Sequence, residues 1–255
     1  MAEKDRVQSI DRALCLLEIV ADHDGISLTE LSKLAELNKA TVHRLLATLV
    51  YNGYVEQNPK TGHYGLTFKL FQLGNKKIEK IDSLNVSRSI ISDLSNKLEE
   101  TVHLVVEDNK EVVYIDKFEP SNNASFRMHS RVGKRAPMYC TAVGKALLAH
   151  YTDEIIRDVW DQSDIKTLTP HTITDYSLFM EEIAKIRSQG YAIDDEENEM
   201  GIYCISSVFY NHRSEVEGAI SISIPKIRVV SNTPDNYIDQ VLQCCEKISR
   251  LLGYR

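Results

Sequence analysis

The sequence predicts an α+β protein in which an N-terminal winged helix-turn-helix domain and a linker helix precede a C-terminal α+β domain. Three observations carry that expectation. Two short amphipathic helices are joined by a brief turn and followed at once by a hairpin. The one basic block of the chain begins on the second of those helices. Beyond residue 83, strands gather at both ends of the region with helices between them, and no nucleotide-binding or phosphate-binding loop is present.

Between Val7 and Val20 the apolar residues Ile10, Ala13, Leu14, Leu17 and Val20 recur at helical spacing, leaving Asp11, Arg12 and Glu18 on the other side. Gly25 in "HDG" supplies the left-handed residue that closes this helix. In "SLTE", Ser27 and Glu30 have the spacing of a capping box, and Leu28, Leu31, Leu34 and Ala35 form the buried stripe behind it. Asn38 is a good cap for the third helix, which opens "NKATVHRLLATL", buries Val42, Leu45, Leu46 and Leu49, and ends near Gly53. "YVEQNPKTGHYGLT" then reads as strands Tyr54–Glu56 and His63–Leu66, with Pro59 and Gly62 in the turn.

The N-terminal end of the second helix of a helix-turn-helix enters the major groove, and here that end carries Lys39, Ala40, Thr41, His43 and Arg44. Arg44 and Lys39 can donate to guanine or phosphate, and Thr41 can reach either a base or a phosphate. A helix N-terminus itself attracts phosphate. On the hairpin, Lys60 and His63 are placed to touch the DNA backbone or the minor groove. The formal charge of the whole chain is −7, which by itself argues against nucleic acid. Its distribution reverses that argument. Residues 1–37 hold 4 Lys/Arg against 8 Asp/Glu, residues 38–80 hold 7 against 2, and residues 81–255 hold 19 against 27. A local positive face matters more for phosphate than the total does.

Residues 67–82 read as the linker helix. Leu70, Leu73 and Ile81 form its stripe, Phe68 and Phe71 widen it, and Gly74 is expected to interrupt it. So wide an apolar surface calls for cover, and a second copy of the chain would supply it while bringing two reading heads onto DNA. In the remaining region a long helix over about 84–99 precedes strands "TVHLVVED", "EVVYIDKFE" and "ASFRMHS". "GKRAP" breaks the pattern, and helices follow in "TAVGKALLAHY", "DEIIRDVW" and residues 176–189. Strands "IYCISSVFY" and "VEGAISISIP" lead to a last helix from Pro234 to about Leu252.

Two features of this region suggest a pocket. In "PMYCTAVGKALL" a loop runs into a helix whose first N–H groups can receive a carboxylate. In "AISISI", Ser221 and Ser223 share one face of a strand, although spacing alone favours an exposed edge face. The acidic run "DDEENE" reads as a solvated loop, and a metal site combining it with His103 or His129 has no specific spacing behind it. The five cysteines are odd in number and form no CxxC pair, which speaks against a disulfide framework and a structural zinc. Cys140 has no base beside it, and the strand serines have no matching histidine motif, so neither an enzyme nor a cofactor is expected. "MAEKDRVQSI" lacks a secretory apolar stretch and no run approaches the roughly 18 residues of a membrane span, so a cytoplasmic protein is expected. "NAS" at 123–125 fits a glycosylation pattern that has no meaning there.

"NKATVHRLLATLVYNGYVE" with "YGLTFKLFQLG" resembles the DNA-binding half of the IclR family of bacterial transcription regulators. "GKRAPMYCTAVGKALLA" and "GYAIDDEENEMGIYCIS" resemble the two signature stretches of that family's effector domain. The resemblance covers about residues 7–252. It implies a winged helix over 1–66, a linker over 67–82 and a GAF-like effector-binding domain over 83–255, assembled as a homodimer or a dimer of dimers on operator DNA. By position it places an effector pocket on the backbone of Ala142 and Val143 and on Asp194, Cys204, Ser221 and Ser223, with Met138 and Tyr139 beside them. Tyr139 stands where the family usually has histidine, and Thr67 where glycine is common. The function implied is a repressor released by a small carboxylate, such as a sugar-derived keto acid, because Asp194 accepts from a hydroxyl but disfavours a second negative group. Activation, an enzyme with an appended regulatory domain, and a winged helix serving only protein contacts are the alternatives.

Overall fold

A computed structural model describes residues 6–79, 82–120, 130–231 and 234–255. The chain divides into two compact units, Met1–Lys80 and Ile81–Arg255.

In the first unit, α1 (Gln8–Ala21), α2 (Leu28–Leu34) and α3 (Lys39–Tyr51) close around Leu16, Val20, Leu31, Val42, Leu46 and Leu49. The local signals act as the sequence suggests. Glu30 N donates to Ser27 Oγ at 3.2 Å, and Ser27 N donates to Glu30 Oε2 at 3.3 Å. Thr41 N donates to Asn38 Oδ1 at 2.8 Å, fixing the start of α3. The turn between α2 and α3 has no glycine. Glu36 itself takes the left-handed conformation at φ 52°, Leu37 N donates to the Ser32 carbonyl, and Ser32 Oγ donates to the Leu37 carbonyl.

The wing is β1 (Val55–Gln57) paired antiparallel with β2 (Tyr64–Leu66), with Val55 opposite Leu66. It starts one residue later than the sequence suggests, because Tyr54 N is used to close α3 on the Leu49 carbonyl. Ile26 bridges Tyr64 and ties the α1–α2 loop to the wing. Next comes α4 (Lys69–Ile78), which runs unbroken through Gly74. Unlike proline, glycine keeps its N–H and weakens a helix by only about 1 kcal/mol, so the expected interruption does not occur.

The second unit opens with α5 (Asp82–Leu98), β3 (Thr101–Asp108), β4 (Glu111–Phe118) and β5 (Arg135–Pro137). After them come α6 (Ala142–Leu148), α7 (Asp153–Gln162), α8 (Tyr176–Gln189) and β6 (Ala192–Asp195). The chain finishes with β7 (Ile202–Tyr210), β8 (Val216–Pro225), α9 (Lys226–Ser231) and α10 (Pro234–Leu251). The strands form one antiparallel sheet in the order β5-β4-β3-β8-β7-β6. It is curled, with irregularities at Leu104/Val105 and Phe209/Tyr210 that increase local twist. α5 and α10 cover one face, while α6 packs over β6, β7 and β8 on the other. This is a GAF-like α+β arrangement.

Several expectations are corrected here. Within "GKRAP", Arg135–Pro137 is a strand, and Pro137 is tolerated because β5 is a sheet edge. Ala192–Asp195 is also a strand, so the acidic run begins inside the sheet rather than in solvent. The face holding Ser221 and Ser223 is no exposed edge, since β8 lies between β3 and β7 and both serines are buried. The "ASFRMHS" strand, "NAS" and His129 lie outside the described residues apart from Ser130.

Candidate functional sites

On the first unit the start of α3 presents Lys39, Ala40, His43 and Arg44 to solvent, with Thr41 half-buried and Val42 anchoring the turn beneath them. The Arg44 side chain has no partner among the described residues, so its guanidinium is available. The wing turn is built on Asn58, whose Oδ1 accepts from Lys60 N at 2.9 Å and Thr61 N at 3.3 Å. That leaves Lys60 exposed at the apex. His63 is also exposed but leans back, its Cβ close to Gly25 on the α1–α2 loop. Part of the basic block is structural. Lys69 Nζ donates to the Asn52 carbonyl at the end of α3 and sits 4.6 Å from the centre of the Tyr54 ring. Thr67, where glycine is common in the family, ties the wing to α4 by donating Oγ1 to the Gly53 carbonyl and accepting from Lys69 N.

Beside this surface, Ile10, Leu14, Leu17, Leu45, Leu70 and Leu73 line an apolar groove of about 860 Å³. Phe68 and Phe71 of the adjoining segment are 88% and 67% exposed.

The second unit holds a cavity of about 180 Å³ lined by His103, Tyr114, Ser130, Asp194, Cys204 and Ser223, with Lys134, Arg135, Asn198 and Glu199 also on its wall. The sheet register explains the convergence. Asp194 lies opposite Cys204, Cys204 opposite Ser223, and His103 is one rung away on β3. Ser223 Oγ is 3.1 Å from Cys204 Sγ and 3.3 Å from His103 Nδ1, and His103 Nε2 is 2.8 Å from Ser130 Oγ. Burial, aided by Lys117, pushes the His103 imidazole down to about 3, so it is a neutral hydrogen-bonding group. Burial drives the Cys204 thiol well above its ordinary range.

Asp194 is the titratable centre of this wall. Burial, and then the neighbouring Glu197 charge, raise its carboxyl to about 7. Its Oδ1 accepts from Glu197 N at 2.8 Å and Asn198 N at 3.3 Å, while Oδ2 has no partner among the described residues. The loop carrying those N–H groups is pinned in turn. Lys145 and Glu197 form a buried ion pair, with the lysine fully enclosed, and the Glu197 carbonyl accepts from Thr172 Oγ1 at 2.6 Å. One oxygen of that glutamate, Oε2, is buried without a partner among the described residues.

Met138, Ala142 and Val143 are buried, and none of them lines the cavity. Thr141 caps α6 by accepting from Gly144 N, and Gly144 packs so tightly that a Cβ there would sit 2.3 Å from Met138 Cα. Tyr139 turns away from the cavity, and its Oη both donates to the Lys166 carbonyl and accepts from Lys166 N. Of the positions the resemblance implies, Asp194, Cys204 and Ser223 meet in the cavity, while Ser221 lies one rung further along the same face. Sequence reasoning missed His103 and Lys145 as parts of this site. The β3–β8 register and the enclosure of α6 bring them in, and neither has a local signature.

Burial raises the Cys140 thiol to about 12, which suits packing and not nucleophilic attack. Among the described residues no group of three His, Cys, Asp or Glu side chains is placed to hold a metal ion, and no helix is long and apolar enough to cross a membrane.

Comparison with known proteins adds the following. Residues 9–59 match the IclR helix-turn-helix domain, and residues 75–250 match the bacterial transcriptional regulator IclR C-terminal domain. The chain is 36% identical to the HTH-type transcriptional regulator XynR of Escherichia coli (strain K12) over 97% of its length and 98% of that protein. It is 33% identical to the DNA-binding transcriptional repressor YiaJ of the same organism, covering 99% of this chain and 91% of the other. Among solved structures, the Thermotoga maritima IclR superposes with a TM-score of 0.81 at 29% identity, covering 98% of this chain and 100% of that one.

Proposed function

Because this chain belongs to the IclR family of bacterial transcriptional regulators, we propose that it is a repressor whose hold on operator DNA is released by a small, hydroxylated carboxylate. Its relatives are DNA-binding transcription regulators and not enzymes. The observation that carries the DNA-binding reading is the start of α3, where Lys39 and Arg44 are exposed on a helix whose inner side is anchored in the core. YiaJ, a repressor by its printed description, supports the direction. The exposed apolar surface of α1 and α4 supports a homodimer, which would set two recognition helices on paired half-sites. The effector reading rests on Asp194, Ser223 and His103 lining one cavity. Ala142 and Val143 begin a helix whose first N–H groups have no intrahelical acceptor.

The test is a titration of the full chain against the DNA upstream of its own gene and neighbouring genes at two salt concentrations. About six phosphate contacts would weaken binding by roughly 10³-fold between 50 and 200 mM salt. Sugar acids and keto acids are then added to look for release. Binding that ignores both salt and sequence would return the protein-interaction reading, and acids that tighten binding would reverse the sign of regulation.

Asp194 gives the pocket a pH signature. Its raised carboxyl holds a proton that the unfolded chain releases, so its contribution to stability falls as pH rises from about 4 to 7. The same ionisation places a negative charge beside the effector. Affinity for a carboxylate, measured calorimetrically, is therefore expected to fall about three- to tenfold between pH 6 and pH 8. Asp194→Asn should flatten that dependence, and an unchanged slope in the variant would remove Asp194 from the site.

A further inference from the structure

Two buried hydroxyls of the sheet have no hydrogen-bond partner among the described residues: Thr101 Oγ1 and Ser206 Oγ. Thr101 is 1% exposed and Ser206 is fully enclosed. A hydroxyl left in this condition destabilises the fold that contains it, and such groups call for a partner that is absent from the chain itself. Their places in the sheet are informative. One rung runs Asp194–Cys204–Ser223–Thr101 across β6, β7, β8 and β3, and the next runs Ser206–Ser221–His103 across β7, β8 and β3. Directly opposed residues of antiparallel strands present their side chains on the same face, so both orphans share the face of the cavity. The following rung, Val208–Ala219–Val105, is wholly apolar and belongs to the core. On β6 the second rung holds Ala192, so the polar surface covers four strands on one rung and three on the next; the cavity is lined by its Asp194, Cys204, Ser223 and His103 but by neither orphan.

We propose that Thr101 and Ser206 are effector-binding residues, and that the effector is a straight-chain acid of five or six carbons with hydroxyls on several of them. The proposal rests on the effector-pocket reading above and extends it to the ligand's length and its hydroxyl pattern. Thr101 and Ser206 are two strands and one rung apart, which is about 12 Å for strands spaced about 4.8 Å and residue pairs spaced about 6.8 Å. A hydrogen bond of about 2.8 Å at each end leaves roughly 6 Å, the extended length of such a chain. A three-carbon acid reaches one rung only. Ser206 is fully enclosed on β7, a strand that α6 packs against, so a ligand reaches it only when that packing opens.

The experiment is calorimetric titration of the full-length protein with glycerate, threonate, ribonate and gluconate, and with hydroxyl-free hexanoate. Wild type is compared with Thr101→Val, Ser206→Ala and, as a control inside the cavity, Ser223→Ala. The expected result is tightest binding for ribonate or gluconate, with each of the first two variants losing about tenfold on those acids and less than about twofold on glycerate. The melting temperatures of these two variants without ligand should be unchanged or raised, because an unsatisfied group has been removed. If the acids bind and Ser223→Ala weakens all of them, but Thr101→Val and Ser206→Ala leave the order intact, the proposal is overturned while the pocket stands. Lowered melting temperatures with unaltered affinities overturn it as well, since the hydroxyls are then structural. If no acid binds, or if Ser223→Ala changes nothing, the pocket reading falls and this proposal falls with it.

Discussion

Arg44→Ala is expected to abolish selective DNA binding while leaving the fold intact. Its guanidinium has no partner among the described residues, so truncation should move the melting temperature by no more than a degree or two. A bidentate arginine–guanine contact accounts for about 10- to 100-fold discrimination at each half-site, and two engaged helices compound that to roughly 10²- to 10⁴-fold. A companion variant separates base reading from phosphate contact. Arg44→Lys keeps the charge but cannot form the planar fork, so the salt dependence should persist while preference for the operator over scrambled DNA is lost. The measurement is a competition titration of operator against scrambled duplex. An equal loss on both duplexes in Arg44→Ala would make Arg44 a phosphate contact and shift recognition to Thr41 and His43.

The largest effect on stability is expected at Lys145. It is fully enclosed, and its ammonium meets a Glu197 carboxylate that is itself buried. Removing one member of such a pair costs about 3–5 kcal/mol because the other is left as an uncompensated charge. Lys145→Met should therefore lower the urea midpoint of the full chain substantially at pH 7.5. Burial already holds the Glu197 carboxyl above its ordinary range, and without the lysine it rises further. The folded variant then takes up a proton that the unfolded chain releases, so its deficit should shrink as pH is lowered toward 5.5 and grow as pH rises. The double variant Lys145→Met/Glu197→Met should recover most of the loss, since apolar replacement of a buried pair is near neutral. A single variant within about 1 kcal/mol of wild type would mean that water reaches the pair in solution.

The first unit was legible in sequence because its signals are local. The Ser27–Glu30 box, the Asn38 cap and the apolar spacing of α3 each act over a few residues, and all of them appear in the structure. What escaped there was the α2–α3 turn, because Glu36 carries a left-handed backbone with no glycine to mark it. In the second unit the long strands were legible and the short ones were not. β5 contains a proline, and β6 is four residues opening an acidic run, so each strand exists by virtue of its neighbour. The alternation in "AISISI" correctly grouped Ser221 with Ser223 but could not say which face was covered, since that depends on pairing with β3 and β7. Lys145 was invisible for the same reason. A lysine in a short helix reads as solvated until a carboxylate from a loop 52 residues later meets it.

The two polar rungs border the apolar Val208–Ala219–Val105 row and run mostly over central strands. Their backbone positions are therefore set by a ladder that does not depend on the side chains they carry. Such an inlay can be rewritten one residue at a time, hydroxyl for methyl or thiol for amide, without disturbing pairing or core. Under the proposed effector role, evolution, or a designer of biosensors, can then readdress the pocket to a new chemical signal with a handful of substitutions. The reading head and its DNA address stay as they are.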